Sequence, residues 1–453
     1  MSTGQPRRTV PRSSHSELPD RDGPDAVSIA TAQDEGRIRD LVPLRHSRMA
    51  VSPFAFFRGA AAVMAADLAA TPVSGVRVQL CGDAHLSNFG FFASPERRLV
   101  FDVNDFDETL PGPWEWDIKR LAASVEVAAR DRGFADGERR EIVTSTVRAY
   151  RRAMRGFAGM SNLDVWYAIA DERHARAMIE GKLPRGARRR SAERLAKART
   201  RDHRDSLTRF TTVQDGLPRI VADPPLVVPL HSLVPKPRVR RRVVGMLETM
   251  LAGYRESLQP ERRWLFDQYR LTDIAQKVVG VGSVGNRCWM LLFIGRDAGD
   301  PLFLQAKECG PSVLEPYLGD ADHGHDGQRV VEGQRLMQTV SDIFLGWQRT
   351  TDPDGTSRDY YVRQLRDWKG SVDVAEIEDP DTLASYAGMC AWTLARAHAR
   401  TGDRAAIAAY MGSSDAFDEA VATFAGAYAD RTEADHAAFV AAIAAGRTSA
   451  AAS

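Results

Sequence analysis

Residues 80–90, Leu-Cys-Gly-Asp-Ala-His-Leu-Ser-Asn-Phe-Gly, set Asp83, His85 and Asn88 within six positions of one another. An aspartate can take the proton of an attacking hydroxyl. An asparagine five positions later is the spacing at which kinase catalytic loops hold Mg²⁺ beside that base. The stretch Phe101-Asp-Val-Asn-Asp-Phe-Asp-Glu108 then offers Asp102, Asp105 and Asp107. Carboxylates packed this closely repel one another, and a bound cation with oxygen ligands relieves the repulsion. Asp105 is the first choice of metal ligand, with Asp102 and Asp107 in reserve. The competing reading is a polar turn with solvent-facing acids, because Asp and Asn are common in turns.

A second set lies far along the chain. Gly280, Gly282 and Gly285, with Ser283 among them, form a Gly-x-Gly-x-x-Gly. The motif is weak alone, but its flanks read as strand on both sides (273–282, which runs into the glycines, and 286–295). Such a loop suits a lid over ATP phosphates better than a dinucleotide turn. Glycine lets backbone N–H groups approach phosphate oxygens without a Cβ in the way. Lys307, in Leu-Phe-Leu-Gln-Ala-Lys-Glu, sits on the next strand, where a kinase needs a lysine for the α- and β-phosphates. Glu332, on the helix expected after it, is the partner carboxylate, and Glu315 competes for that role. A surface lysine on a small sheet is the plainer alternative for Lys307.

Gly82-Asp-Ala-His-Leu-Ser-Asn-Phe-Gly90 followed by Val-Asn-Asp-Phe-Asp-Glu resembles the catalytic and metal loops of the aminoglycoside phosphotransferase and choline kinase group. Those loops run His-Gly-Asp-x-His-x-x-Asn and then Ile-Asp-Phe-Asp-Asp; here Cys81 replaces the first histidine. Gly112-Pro-Trp-Glu-Trp-Asp117 resembles their following helix start, with Asp117 as the structural aspartate. Over most of residues 38–445 the chain also resembles an uncharacterised bacterial family, domain of unknown function family 2252. The kinase parts occur in rotated order, catalytic loop first and glycine loop later. The resemblance therefore implies an α+β, two-lobed, protein-kinase-like fold that is circularly permuted, with a small antiparallel β lobe and a larger, mostly helical lobe. It implies ATP and Mg²⁺ as cofactors, Asp83 as base, His85 as a support of the loop through its ring hydrogen bonds, and a hydroxyl acceptor on a small molecule or a protein.

The elements expected to hold these parts divide the chain into a disordered tail (1–37), a helical lobe with the catalytic and metal loops (38–270), a β-rich nucleotide lobe (271–370) and completing helices (371–453). Lys and Arg number 61 against 60 Asp and Glu, a net charge of +1 that argues against nucleic-acid binding. The basic run 185–204 reads as a solvated helix or loop. Cys81, Cys288, Cys309 and Cys390 are far apart, as expected of reduced thiols in a cytoplasmic protein. No apolar run is long enough for a membrane span. Two other functions remain open. One is a metallophosphoesterase using Gly-Asp-x-His, with His323 and His325 as extra ligands; the other is a non-catalytic, pseudokinase-like nucleotide scaffold.

Overall fold

The computed structural model describes residues 10–179, 185–200, 203–214, 216–320, 324–351, 355–365, 367–368 and 370–451. Its strands are β1 (Arg77–Leu80), β2 (Phe89–Ala93), β3 (Leu99–Val103), β4 (Leu110–Pro113), β5 (Thr211–Gln214), β6 (Leu217–Ile220), β7 (Val227–Pro229), β8 (Arg270–Lys277), β9 (Cys288–Ile294), β10 (Pro301–Cys309), β11 (Gly346–Thr351), β12 (Ser357–Gln364) and β13 (Gly370–Ser371). Six form one antiparallel sheet in the order β11-β12-β10-β9-β8-β7. The fold is thus mixed α and β with antiparallel sheets.

Period-two alternation makes this sheet two-faced. Along β10, Leu302, Leu304 and Ala306 pack with Leu291 and Phe293 of β9 under the helix Pro237–Ser257, which contributes Leu247, Met250 and Tyr254. The Tyr254 hydroxyl donates to the Phe344 carbonyl at 2.6 Å and locks the helix to the sheet. Phe303 points to the opposite face, with Met290 and Leu292. Gln305 and Lys307 follow it on that face. The sheet and the helix packed on it also draw on residues before the boundary expected at 271, because β7 pairs with β8 and the 237–257 helix buries its apolar side on the sheet.

The larger core is helical. Pro113 starts the helix Trp114–Asp131, and residues 114–129 are buried around its whole circumference because other helices surround it. Those neighbours include Asp136–Ala158, Pro380–Thr401 and Ala416–Ala444. The Asp379 carboxylate caps the 380–401 helix by accepting from the Thr382 N–H at 2.8 Å. Two small sheets, β1 with β4 and β13-β2-β3, lie on this body and carry the 81–108 segment between them.

Three expectations are corrected. The N-terminal segment is not a loose tail from residue 10 onward. Its His15 is buried against Tyr410 and Phe417, Arg21 pairs with Asp67 and Asp435, and Ala26–Ala32 is helical. Apolar contacts and buried ion pairs outweigh the polar composition that reads as disorder. The stretch 327–347, whose apolar spacing reads as one helix carrying Glu332, is helical only to Met337, and the chain reaches β11 at Gly346. The basic run is helical over Arg185–Thr200 and is not wholly solvated, since Leu195 and Ala198 are buried. The four cysteines are buried free thiols. Among the described residues no helix is long and apolar enough to cross a membrane.

Candidate active site

The catalytic-type loop follows β1, and buried acceptors hold its backbone. The Asp117 carboxylate accepts from the Cys81 N–H at 2.8 Å and the Gly82 N–H at 3.1 Å. His398 Nε2 lies 3.1 Å from Asp117, and its Nδ1 lies 2.8 Å from the Tyr150 hydroxyl. An Nε2–H tautomer satisfies both contacts. Gly82 has φ +80°, and a Cβ there would collide with the Glu108 carbonyl. Gly82→Ala is therefore expected to destabilise the protein by about 2–5 kcal/mol, from left-handed strain plus overpacking. Urea unfolding checks this; a loss below about 1 kcal/mol would mean that the loop relaxes freely.

Beyond Gly82 the loop presents its side chains to a cleft of about 430 Å³. Asp83, His85, Asn88, Asp105, Asp107, Gly280, Gly282, Ser283 and Lys307 all line it. Asp83 Oδ1 accepts from Arg120 Nε at 2.5 Å. Asn88 Nδ2 donates to the Asp83 carbonyl at 2.6 Å, which closes the loop on itself. The ring of His85 does not tie the loop as expected. Its Nδ1 is buried without a partner, and its Nε2 stands 3.6 Å from Asp83. Burial pushes the His85 pKa down to about 3, so the ring is neutral.

The acidic segment splits by geometry. Asp102 lies inside β3 and points into the core, where it accepts from Arg396 at 2.6 Å and from the Thr339 N–H at 3.1 Å. It is fully buried and does not line the cleft, which removes it as a metal ligand. Asp105 and Asp107 lie past the strand end and open onto the cleft. Lys307 pairs with Asp107 and stands 3.9 Å from Asp105. Tyr361 adds a hydroxyl bond to Asp107 at 2.9 Å. Burial works against every charge here. It raises Asp105, helped by the neighbouring Asp107. At Asp107 the effect of burial is outweighed by Lys307 and Tyr361, and the pKa falls below the usual range. Burial also opposes the Lys307 charge, but Asp105 and Asp107 outweigh it and hold the ammonium protonated.

The expected Lys307–Glu332 pair is corrected. Glu332 accepts from Gln328 at 2.7 Å, and Lys307 takes its carboxylates from residues 105 and 107 instead. Glu315 is not its partner either; it lies 3.8 Å from Arg329. The helix bearing Glu332 packs against β11, β12 and the 380–401 helix.

The glycine-rich turn connects β8 to β9. Gly280 has φ +66°, a conformation natural to glycine. Residues of the N-terminal region pin the turn. Arg48 donates to the Gly280 carbonyl at 2.6 Å, Arg37 to the Val284 carbonyl at 2.6 Å, and the Ile38 N–H to the Gly285 carbonyl at 2.8 Å. Gly285 packs under the Arg37 side chain and is not part of the cleft lining.

Sequence reasoning missed several cleft residues. Arg363 of β12 stands opposite Gln305 and donates to the Asn104 carbonyl at 3.0 Å. Glu108 accepts from the Val313 N–H at 2.8 Å, and burial raises its pKa to about 7. Arg37 comes from the segment before β1; Arg58, from the same segment, is not a missed residue, since in Phe-Ala-Phe-Phe-Arg-Gly the sequence already offers it to a phosphate, to the acidic cluster or to a buried structural pairing. Only the strand register of Arg363, in phase with Lys307 across β10 and β12, was readable in principle. His323 lies outside the described residues. His325 caps the 326–337 helix by accepting from the Gln328 N–H at 3.3 Å. Among the described residues, no group of three or more His, Cys, Asp or Glu is placed to hold a metal ion.

No curated protein matches the chain. No solved structure matches it either. One family does match, over residues 37–442: the chain belongs to the uncharacterized proteins conserved in bacteria grouped as DUF2252.

Proposed function

We propose that the protein is an ATP- and magnesium-dependent phosphotransferase acting on a hydroxyl acceptor. In this reading the six-stranded sheet with its glycine turn and the helical body are the two lobes of a kinase-like fold in rotated chain order. The observation that carries it is the meeting of two distant segments on one cleft. Lys307 pairs with Asp107, 200 positions away, beneath a glycine-rich turn and beside Asp83 and Asn88.

The donor set fits the cofactors. Asn88, Asp105 and Asp107 offer hard oxygen ligands suited to Mg²⁺. Burial, with the neighbouring Asp107, raises the Asp105 pKa, and a cation beside it would offset both. Lys307, Arg363 and the backbone of residues 280–283 face the space where phosphates would lie. Magnesium, when bound, supplies charge neutralisation on the phosphate oxygens. Lys307 would hold phosphate oxygens in place of Asp107, and Asp105 and Asp107 would then be available to hold the metal. Asp83, oriented by Arg120, takes the acceptor's proton.

The test is thermal unfolding with and without Mg-ATP. At a nucleotide concentration 100-fold above Kd the protein should gain about 2.7 kcal/mol, seen as a raised Tm. Asp105→Asn should abolish the gain while leaving the Tm of the free protein nearly unchanged. An absence of any shift in the parent protein at millimolar Mg-ATP would overturn the reading. The Lys307–Asp107 ion pair favours one second reading, a nucleotide-binding scaffold without turnover, since it occupies both groups that catalysis needs. Nucleotide binding with no transfer to water or to any alcohol tried would favour the scaffold.

A further inference from the structure

Arg58 closes the short helix Pro53–Gly59 and lines the cleft beside Asp83 and His85. Its Nε is buried with no hydrogen-bond partner, and its guanidinium makes no hydrogen bond or ion pair with any described residue. Other buried arginines are engaged: Arg45 with Asp34, Arg120 with Asp83, Arg151 with Asp418 and Arg396 with Asp102. The charges that act on Arg58 are those of Asp83 and Asp373. Asp83 already gives Oδ1 to Arg120. A half-buried guanidinium left this free is costly unless something anionic meets it.

Its position says what that anion is. A Cβ on Gly282 would lie 3.4 Å from the Arg58 carbonyl, so the glycine-rich turn rests directly on the 58–59 backbone. Arg58 thus lines the cleft together with that turn and Asp83, and comes to it from the helix Pro53–Gly59. Lys307 and Arg363 stand on the sheet side. Five N–H donors in a planar fork suit a phosphoryl group far better than a single carboxylate oxygen.

We propose that Arg58 binds the terminal phosphoryl group of the nucleotide, the group to be transferred; this rests on the phosphotransferase reading. In the step, the acceptor oxygen forms a bond to the terminal phosphorus as the bridging P–O bond breaks. The electron pair of that bond leaves with the nucleoside diphosphate, and the acceptor's proton passes to Asp83. Arg58 offsets the charge on the non-bridging oxygens throughout.

The experiment compares the full-length protein with Arg58→Gln and Arg58→Ala, using calorimetric titration of Mg-ATP, Mg-ADP and inorganic tripolyphosphate. Circular dichroism and Tm first establish that each variant is folded; Gln retains the bulk of the side chain where Ala does not. The parent protein should bind Mg-ATP more tightly than Mg-ADP. Loss of a charge-assisted contact should weaken Mg-ATP about 10- to 100-fold in both variants and leave Mg-ADP within about twofold. Added guanidinium ion should restore part of the Mg-ATP affinity of Arg58→Ala and do nothing for the parent, an effect that a merely structural arginine would not produce. An unchanged ATP-to-ADP ratio in both variants would overturn the proposal while leaving the phosphotransferase reading intact. Tripolyphosphate binding that depends on Arg58, without any Mg-ATP binding, would keep the anion site and overturn the phosphotransferase reading. No binding of any of the three by the parent protein would overturn both.

Discussion

Asp83→Asn should cut phosphoryl transfer by about 100- to 10,000-fold, the range lost with a general base. Mg-ATP affinity should stay within about twofold. The substitution keeps the side-chain shape and an oxygen for Arg120, and it leaves the bonds from Cys81 and Gly82 to Asp117 untouched. It removes the carboxylate's charge and with it the capacity to accept a proton. The measurement is single-turnover transfer from labelled ATP to an alcohol acceptor, alongside titration of Mg-ATP. A variant with full transfer would displace Asp83 from the base role. Glu108, whose carboxyl burial holds near pKa 7, would then be the next residue to test.

The second large effect is on stability. Asp102→Ala should lower the free energy of unfolding by about 3–5 kcal/mol, because it leaves the Arg396 guanidinium buried and unpaired. Both partners are almost fully inaccessible to water, with side-chain exposures of 1% and 1%. Burial dominates at each end: the Asp102 pKa is pushed up and that of Arg396 down, even though they touch at 2.6 Å. The pair is therefore weakly favourable at best, and breaking it is the costly act. Two of the three nitrogens of Arg396, Nε and Nη1, already lack hydrogen-bond partners. Asp102→Leu combined with Arg396→Met should recover most of the loss, since two apolar groups leave no buried charge. Urea unfolding of the single and double variants measures this. A single variant as stable as the parent would mean that water reaches Arg396. Asp105→Asn, three positions along, should scarcely change the same curve, because Asp105 faces the cleft.

Asp102, Asp105 and Asp107 show how far sequence alone reaches. All three are acids in one short stretch, and spacing from Asp83 favours no one of them decisively. The end of β3 separates them. Inside the strand the side chain of residue 102 is turned into the helical core; beyond Val103 the chain leaves the sheet, and 105 and 107 open onto the cleft. Lys307 is a similar case. A strand and an inward lysine were legible from Leu-Phe-Leu-Gln-Ala-Lys, because alternation is a local property. Its carboxylate was not, since an ion pair spanning 200 positions depends on how two distant segments pack together.

The sequence by itself determined the local elements: the strands within 76–80, 97–106 and 273–308, most of the long helices, the antiparallel α+β class, and the short motifs defined by residue type and spacing. Tertiary structure alone decided which charges are used up and which are exposed to the cleft. It assigned Asp102 to the core, gave Lys307 to Asp107 instead of Glu332, folded residues 10–60 over the glycine turn, and left Arg58 without a partner. The physical reason is range. Backbone preference and apolar periodicity act over a few residues, whereas the fate of a buried charge is set by whichever distant group packing brings within about 4 Å of it.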